Sequence, residues 1–141
     1  MIQRIQSVYL LLGAVALGIL FAFDSPWAST AAAERGWFEP TLIGLIVVTA
    51  GTGLGAIFLY TNRQRQRTVV VGAQVLTFVL ALVLYGGLYL ENELSVRAGG
   101  TFLVEKAVVL LLPAAAYVLF WLARRGIDHD IQLVESMDRL R

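Results

Sequence analysis

The sequence has no cysteine, one histidine (His129) and only three prolines. Without cysteine there is no disulfide framework, no thiol nucleophile, no iron–sulfur cluster and no thiolate zinc site. A single histidine cannot build a histidine cluster, and no metal or other cofactor is expected. Charge is also scarce. Charged residues make up 15% of the chain, against about 25% in soluble proteins. Apolar types reach 58%, and the mean hydropathy is +0.74. A chain of 141 residues is at most one domain's worth and cannot bury that much apolar surface inside itself. The surplus must face something other than water. A free cytosolic enzyme, a disordered tail and a secreted disulfide scaffold are excluded.

Four uncharged apolar runs are long enough to cross a bilayer: Ile5–Phe23, Thr41–Tyr60, Thr68–Leu90 and Ala107–Ala123. Crossing about 30 Å of hydrocarbon takes roughly 17–25 helical residues. The runs are too long for barrel strands and lack an inside/outside alternation. An earlier start of the fourth run, near Phe102, would place Glu105 and Lys106 in its outer turn. Lys and Arg placement sets the orientation. Arg4, Arg63, Arg65, Arg67, Arg124, Arg125, Arg139 and Arg141 fall on one side, and Arg35, Arg97 and Lys106 on the other. The arginine-rich side is therefore read as cytoplasmic, with both termini there. The first run has the basic start of a signal peptide, with Ala31-Ala32-Ala33 as a possible cleavage mimic. Its apolar stretch exceeds the usual 7–15 residues, so a retained signal-anchor helix is expected.

Short connections make sequential helices antiparallel neighbours. The loop Thr61–Arg67 would hold spans two and three as a hairpin. Its Arg63, Arg65 and Arg67, like Arg124 and Arg125, are read as topology signals among anionic headgroups. Nucleic-acid recognition would need more basic area. Asp24-Ser25-Pro26 ends the first span, and Pro40 suits the first turn of the second. Trp27, Trp37 and Phe38 are placed for an interfacial belt. Gly51 and Gly55, four apart, share a face that admits a close helix neighbour, and Ala14 and Gly18 offer a similar face on the first span. A nucleotide-binding glycine loop is excluded: no strand precedes it, and Phe58 stands where the pattern needs glycine. Pro113 predicts a bend in the fourth span.

The centres of the spans hold no ionisable group, which argues against a proton pump, an ion-coupled transporter and an intramembrane hydrolase. Gln74 is expected to make an interhelical hydrogen bond. Thr49, Thr52 and Thr77 are expected to satisfy their hydroxyls on their own helix backbone. Glu105 is favoured by the helix dipole. Lys106 would snorkel outward or pair with Glu91 or Glu93, and the two form a candidate polar site for a cation or headgroup. His129 lies between Asp128 and Asp130, but residues one or two apart do not share a helix face. It is read as exposed and solvated.

From 127 to 141, Ile127, Ile131, Val134 and Met137 form a helical stripe with acids mostly off it, an amphipathic cytoplasmic helix. Its acidic flank favours docking on a partner or on the bundle's own end over lying on anionic lipid. The opening Met1-Ile2-Gln3-Arg4-Ile5-Gln6-Ser7-Val8-Tyr9-Leu10-Leu11-Leu12 and the ending Asp130-Ile131-Gln132-Leu133-Val134-Glu135-Ser136-Met137-Asp138-Arg139-Leu140-Arg141 resemble those of domain-of-unknown-function family 4293, integral membrane proteins of Bacteroidota. The layout also resembles that family's: four spans, a basic middle loop and a proline in the last span. The resemblance implies a small inner-membrane protein of a diderm bacterium and carries no activity. It singles out Asp138, Arg139 and Arg141, and tail docking is the role expected of them.

The expected architecture is all-α: an integral membrane antiparallel four-helix bundle over 1–126, with a short cytoplasmic amphipathic C-terminal helix over 127–141. No convergent acid, base, nucleophile or metal set is visible, so a non-catalytic role is expected. The protein would be a subunit, scaffold or accessory of a membrane complex, or a homo-oligomer. Its partners would be membrane lipid and another membrane protein or itself. The alternative is a passive conduit or binding protein for a lipid or small amphiphile, using the Gln74 and threonine faces.

Overall fold

The computed structural model describes residues 2–140, with side chains described from Ile5 onward. Its elements are α1 (Ile2–Ile19), extended by a 3-10 turn over Leu20–Ala22, then α2 (Thr30–Glu34), α3 (Phe38–Ile57), α4 (Arg63–Leu90), β1 (Arg97–Ala98), β2 (Thr101–Phe102) and α5 (Val104–Arg139). The fold is all-α apart from the two short strands. Four of its helices are long and apolar enough to cross a membrane.

The long helices contact one another in a ring: α1 against α3 and α5, and α4 against α3 and α5. Each helix turns one stripe inward. On α5 the buried residues are Val109, Pro113, Ala116, Phe120, Ala123, Ile127 and Asp130, in alternating steps of four and three. That is the register of a helix keeping one seam against its neighbours. The core gathers Leu10, Leu17, Leu42, Ile46, Leu80, Leu84 and Phe120. The outward faces are equally greasy: Val47, Val48, Phe78, Leu82, Leu111 and Val118 are each more than half exposed.

Local chemistry sets the helix ends. Asn62 caps α4, its side-chain oxygen accepting from Arg65 N at 3.1 Å. Ser29 caps α2 by accepting from Ala32 N at 3.1 Å. Each satisfies a backbone donor that a helix start leaves unpaired. Pro40 falls in the first turn of α3, where its missing N–H breaks no helical bond. Gly99 and Gly100 have φ of +58° and +85°, as a tight hairpin turn between β1 and β2 requires.

Two expectations about the elements need correction. The cap at Asn62 starts α4 at Arg63, so the arginines expected in a Thr61–Arg67 loop lie on a helix. The segment expected to be a separate tail is the continuation of α5, because the buried stripe runs past Ala123 through Ile127 to Asp130 without a break in register. Pro113 lies on that stripe and inside the helix, and the Tyr85 hydroxyl donates to Leu110 O beside it at 2.5 Å. α5 also starts at Val104, which puts Glu105 and Lys106 in its first turn.

Candidate functional site

Polar side chains gather at the two ends of the long helices. One may be called the tail end, where α4 starts and α5 leaves the ring. There the Gln6 side-chain amide donates to Asp130 Oδ2 at 2.9 Å, with both residues buried. Gly126 makes that approach possible, since a Cβ on it would lie 2.9 Å from Gln6 Cγ. Arg63 Nη1 donates to the Asp130 carbonyl at 3.3 Å. Arg67 Nε donates to Asp128 Oδ1, and Arg124 Nε stands 3.7 Å from Asp128 Oδ2. Gln66 Nε2 donates to Ala56 O at 3.0 Å, a second bond on a carbonyl in the last turn of α3 that also accepts from Leu59 N. Arg125 sits 5.5 Å from the Trp121 ring centroid, in cation–π range.

Loops fold back on helix ends at the other, hairpin end. Arg35 Nε pairs with Glu91 Oε1 at 2.6 Å. The Glu93 carboxylate accepts from Thr30 N at 3.1 and 3.2 Å and from Thr30 Oγ1 at 2.5 Å. Glu105 Oε1 accepts from Ser25 N at 3.1 Å. Trp27 donates through Nε1 to Leu20 O at 3.2 Å and stacks on Phe21, with ring centroids 5.4 Å apart. Partial burial raises the Glu93 carboxyl pKa, but the Thr30 hydrogen bonds and the Lys106 charge outweigh it, so the net shift is downward. Asp24, Ser25, Glu93, Phe102, Glu105 and Lys106 line an open cavity of about 470 Å³ at this end.

The glycine face read from sequence is not the one that packs this chain. A Cβ on Gly18, Gly51 or Gly55 would meet nothing within 4 Å, and all three face outward. Of that set only Ala14 is buried. Close packing uses other glycines. A Cβ on Gly13 or Gly53 would lie 2.7 or 2.8 Å from Phe120 Cε1, and one on Gly87 would lie 2.2 Å from Phe38 Cε2. A large ring filling a notch left by glycine is a pattern no single helix displays in its sequence.

Gln74 is buried, and its Oε1 lies 3.5 Å from the donating Arg124 Nη1. Thr52 and Thr77 donate to Val48 O and Ala73 O on their own helices. Thr49 Oγ1, expected to do the same, is buried without a partner among the described residues. Lys106 makes no ion pair with Glu91 or Glu93, whose carboxylates are taken by Arg35 and Thr30. His129 is exposed. Docking of the last segment onto the helix ends runs through Ile127, Asp128, Asp130 and Ile131. Asp138 and Arg139 are exposed, and Arg141 lies outside the described residues. Sequence reasoning missed Gln6, Asp128 and Asp130. The available signal was two polar residues on helical stripes that are otherwise apolar.

No curated protein and no solved structure matches the chain. The family model described as "Domain of unknown function (DUF4293)" matches residues 2–140. A match over that length shows the family, and the chain belongs to DUF4293.

Proposed function

We propose that the protein is a non-catalytic multi-pass protein of a bacterial inner membrane. It serves there as a subunit, scaffold or accessory of a membrane complex, or assembles with itself. The carrying observation is how its groups are used. Charged and amide side chains at both helix ends tie helices and loops of the same chain together. What stays unoccupied is contact surface: the outward Gly51 and Gly55 face of α3, and the last turns of α5, where Leu133, Val134 and Met137 are exposed. In lipid, helices associate by close packing and polar contacts rather than by hydrophobic contrast, so a small-residue face suits a helical neighbour. Arg63, Arg67 and Arg124 cluster at the tail end, which supports a cytoplasmic assignment for that end and for both termini.

Cross-linking in native membranes followed by mass spectrometry tests this reading. The full chain should be recovered cross-linked to a second copy or to another membrane protein through 132–140 or the outward face of α3. Recovery of lone protomers only, from intact membranes, would refute it. A second reading, a passive binding protein for a lipid, is favoured by the cavity at the hairpin end, where both charge signs meet apolar side chains.

A further inference from the structure

The cavity at the hairpin end lies between the turn after α1, the 91–103 segment and the first turn of α5. Its volume of about 470 Å³ falls in the range of small-ligand sites, roughly 300–1,000 Å³. Asp24, Glu93 and Glu105 bring carboxylates, and Lys106 brings an ammonium. Glu93 and Glu105 are oriented by Thr30 and by Ser25 N, and a carboxylate so held keeps lone pairs to spare. The side chains of Asp24, Ser25 and Lys106 make no hydrogen bond or ion pair with any described residue. Phe102 and Val104, both more than half exposed, form an apolar lip. The spans end here, at the 3-10 turn of α1 and the start of α5, so the lip lies at the depth where headgroup meets acyl chain.

We propose that this cavity binds the headgroup of a zwitterionic aminophospholipid, a primary ammonium joined to a phosphodiester. The ammonium donates to the Asp24 carboxylate, which has no ion-pair partner among the described residues, while Glu93 and Glu105 add negative charge to the same cavity. The phosphodiester accepts from Lys106 and the Ser25 hydroxyl. The acyl chains leave over Phe102 and Val104 onto the apolar outer face. Other ligands fit less well. An anionic headgroup would bring its phosphate to a cavity where carboxylates outnumber the ammonium. A choline headgroup has no N–H to donate and needs an aromatic cage, where this cavity has one phenylalanine. No three acids among the described residues converge to hold a metal ion. The inference rests on the lipid-binding reading and is independent of the scaffold reading.

The test is native mass spectrometry of the full chain, delipidated and titrated with dioleoyl lipids bearing ethanolamine, choline or glycerol headgroups. The ethanolamine lipid should be retained about fivefold or more over the other two, the scale of one charge-assisted hydrogen bond at a partly open site. Asp24→Asn and Lys106→Gln should each abolish that preference while leaving helicity unchanged and thermal unfolding within a few degrees of the parent, since neither side chain makes a hydrogen bond or ion pair with a described residue. Equal retention of ethanolamine and choline lipids, or an unchanged preference in both variants, overturns the site. Failure of every lipid to bind overturns the lipid-binding reading as well. Displacement of the lipid by free phosphoethanolamine at equal concentration would make the ligand a soluble zwitterion and overturn the lipid assignment.

Discussion

Gly53→Ala and Gly51→Ala are chemically identical changes two residues apart on α3, and the structure predicts opposite outcomes. At Gly53 the new methyl would lie 2.8 Å from Phe120 Cε1. The same ring edge already lies against Gly13, where a Cβ would be 2.7 Å away. The ring therefore has to leave a notch shared by α1 and α3. Overpacking of this kind costs about 1–3 kcal/mol. At Gly51 the methyl meets nothing within 4 Å, and only the gain of up to about 1 kcal/mol from replacing a helical glycine remains. Because that gain is common to both variants, their difference isolates the overpacking cost of about 1–3 kcal/mol. Thermal unfolding in dilute detergent micelles should place Gly53→Ala below Gly51→Ala by about 2–4 °C per kcal/mol. A double-mutant cycle supplies the control: Phe120→Leu should cost less in the Gly53→Ala background than in the parent chain. Equal unfolding temperatures for the two alanine variants, or a strictly additive cycle, would refute the notch.

Asp130→Ala removes the acceptor of the buried Gln6 amide and should destabilise by about 1–3 kcal/mol in the same unfolding assay, whereas Asp130→Asn, which keeps an acceptor oxygen, should lose less. The Glu93 pKa is lowered in the folded chain. Its contact with Thr30 is therefore in place above the unfolded carboxyl pKa and is lost as pH falls below about 4.5 through the depressed folded value. Hydrogen exchange at the Thr30 amide, corrected for intrinsic rate, should be flat above that range, accelerate below it, and lose this dependence in Glu93→Gln. Because the chain has no cysteine, Ala98→Cys and Arg65→Cys each report one site. An impermeant maleimide added from the periplasm should label the first at once, and the second only after the inner membrane is opened. The reverse pattern would invert the proposed orientation.

How much was legible beforehand can be judged element by element. The four apolar runs anticipated the four long helices to within a few residues at most ends, and the largest errors came where a cap or a continuing buried stripe outranked hydropathy. Asn62 drew Arg63–Arg67 onto α4, and α5 absorbed the segment read as a tail. No helix or strand was expected within the segments 24–40 or 91–103. Their α2 turn and β1–β2 hairpin come from Ser29 capping and from the positive φ of Gly99 and Gly100. Gln74 was legible as a buried hydrogen-bonding residue, although its partner Arg124 was not. The Gly51 and Gly55 spacing was legible as a helix face, but inside this chain it is Gly13, Gly53 and Gly87 that admit large rings.

Composition and run length alone determined that four helices of this chain suit a hydrocarbon solvent, because transfer of apolar side chains depends on how many there are in a row and not on their neighbours. Which face of each helix turns inward was decided only in the folded chain. On helices apolar all round, such as α3, hydropathy offers no contrast between the lipid side and the neighbour side. Rotation about the helix axis is then set by shape and by rare polar pairs: the Phe120 ring between glycines, Phe38 against Gly87, and Gln6 reaching Asp130 past Gly126. Those partners lie far apart along the chain, and no local periodicity encodes them.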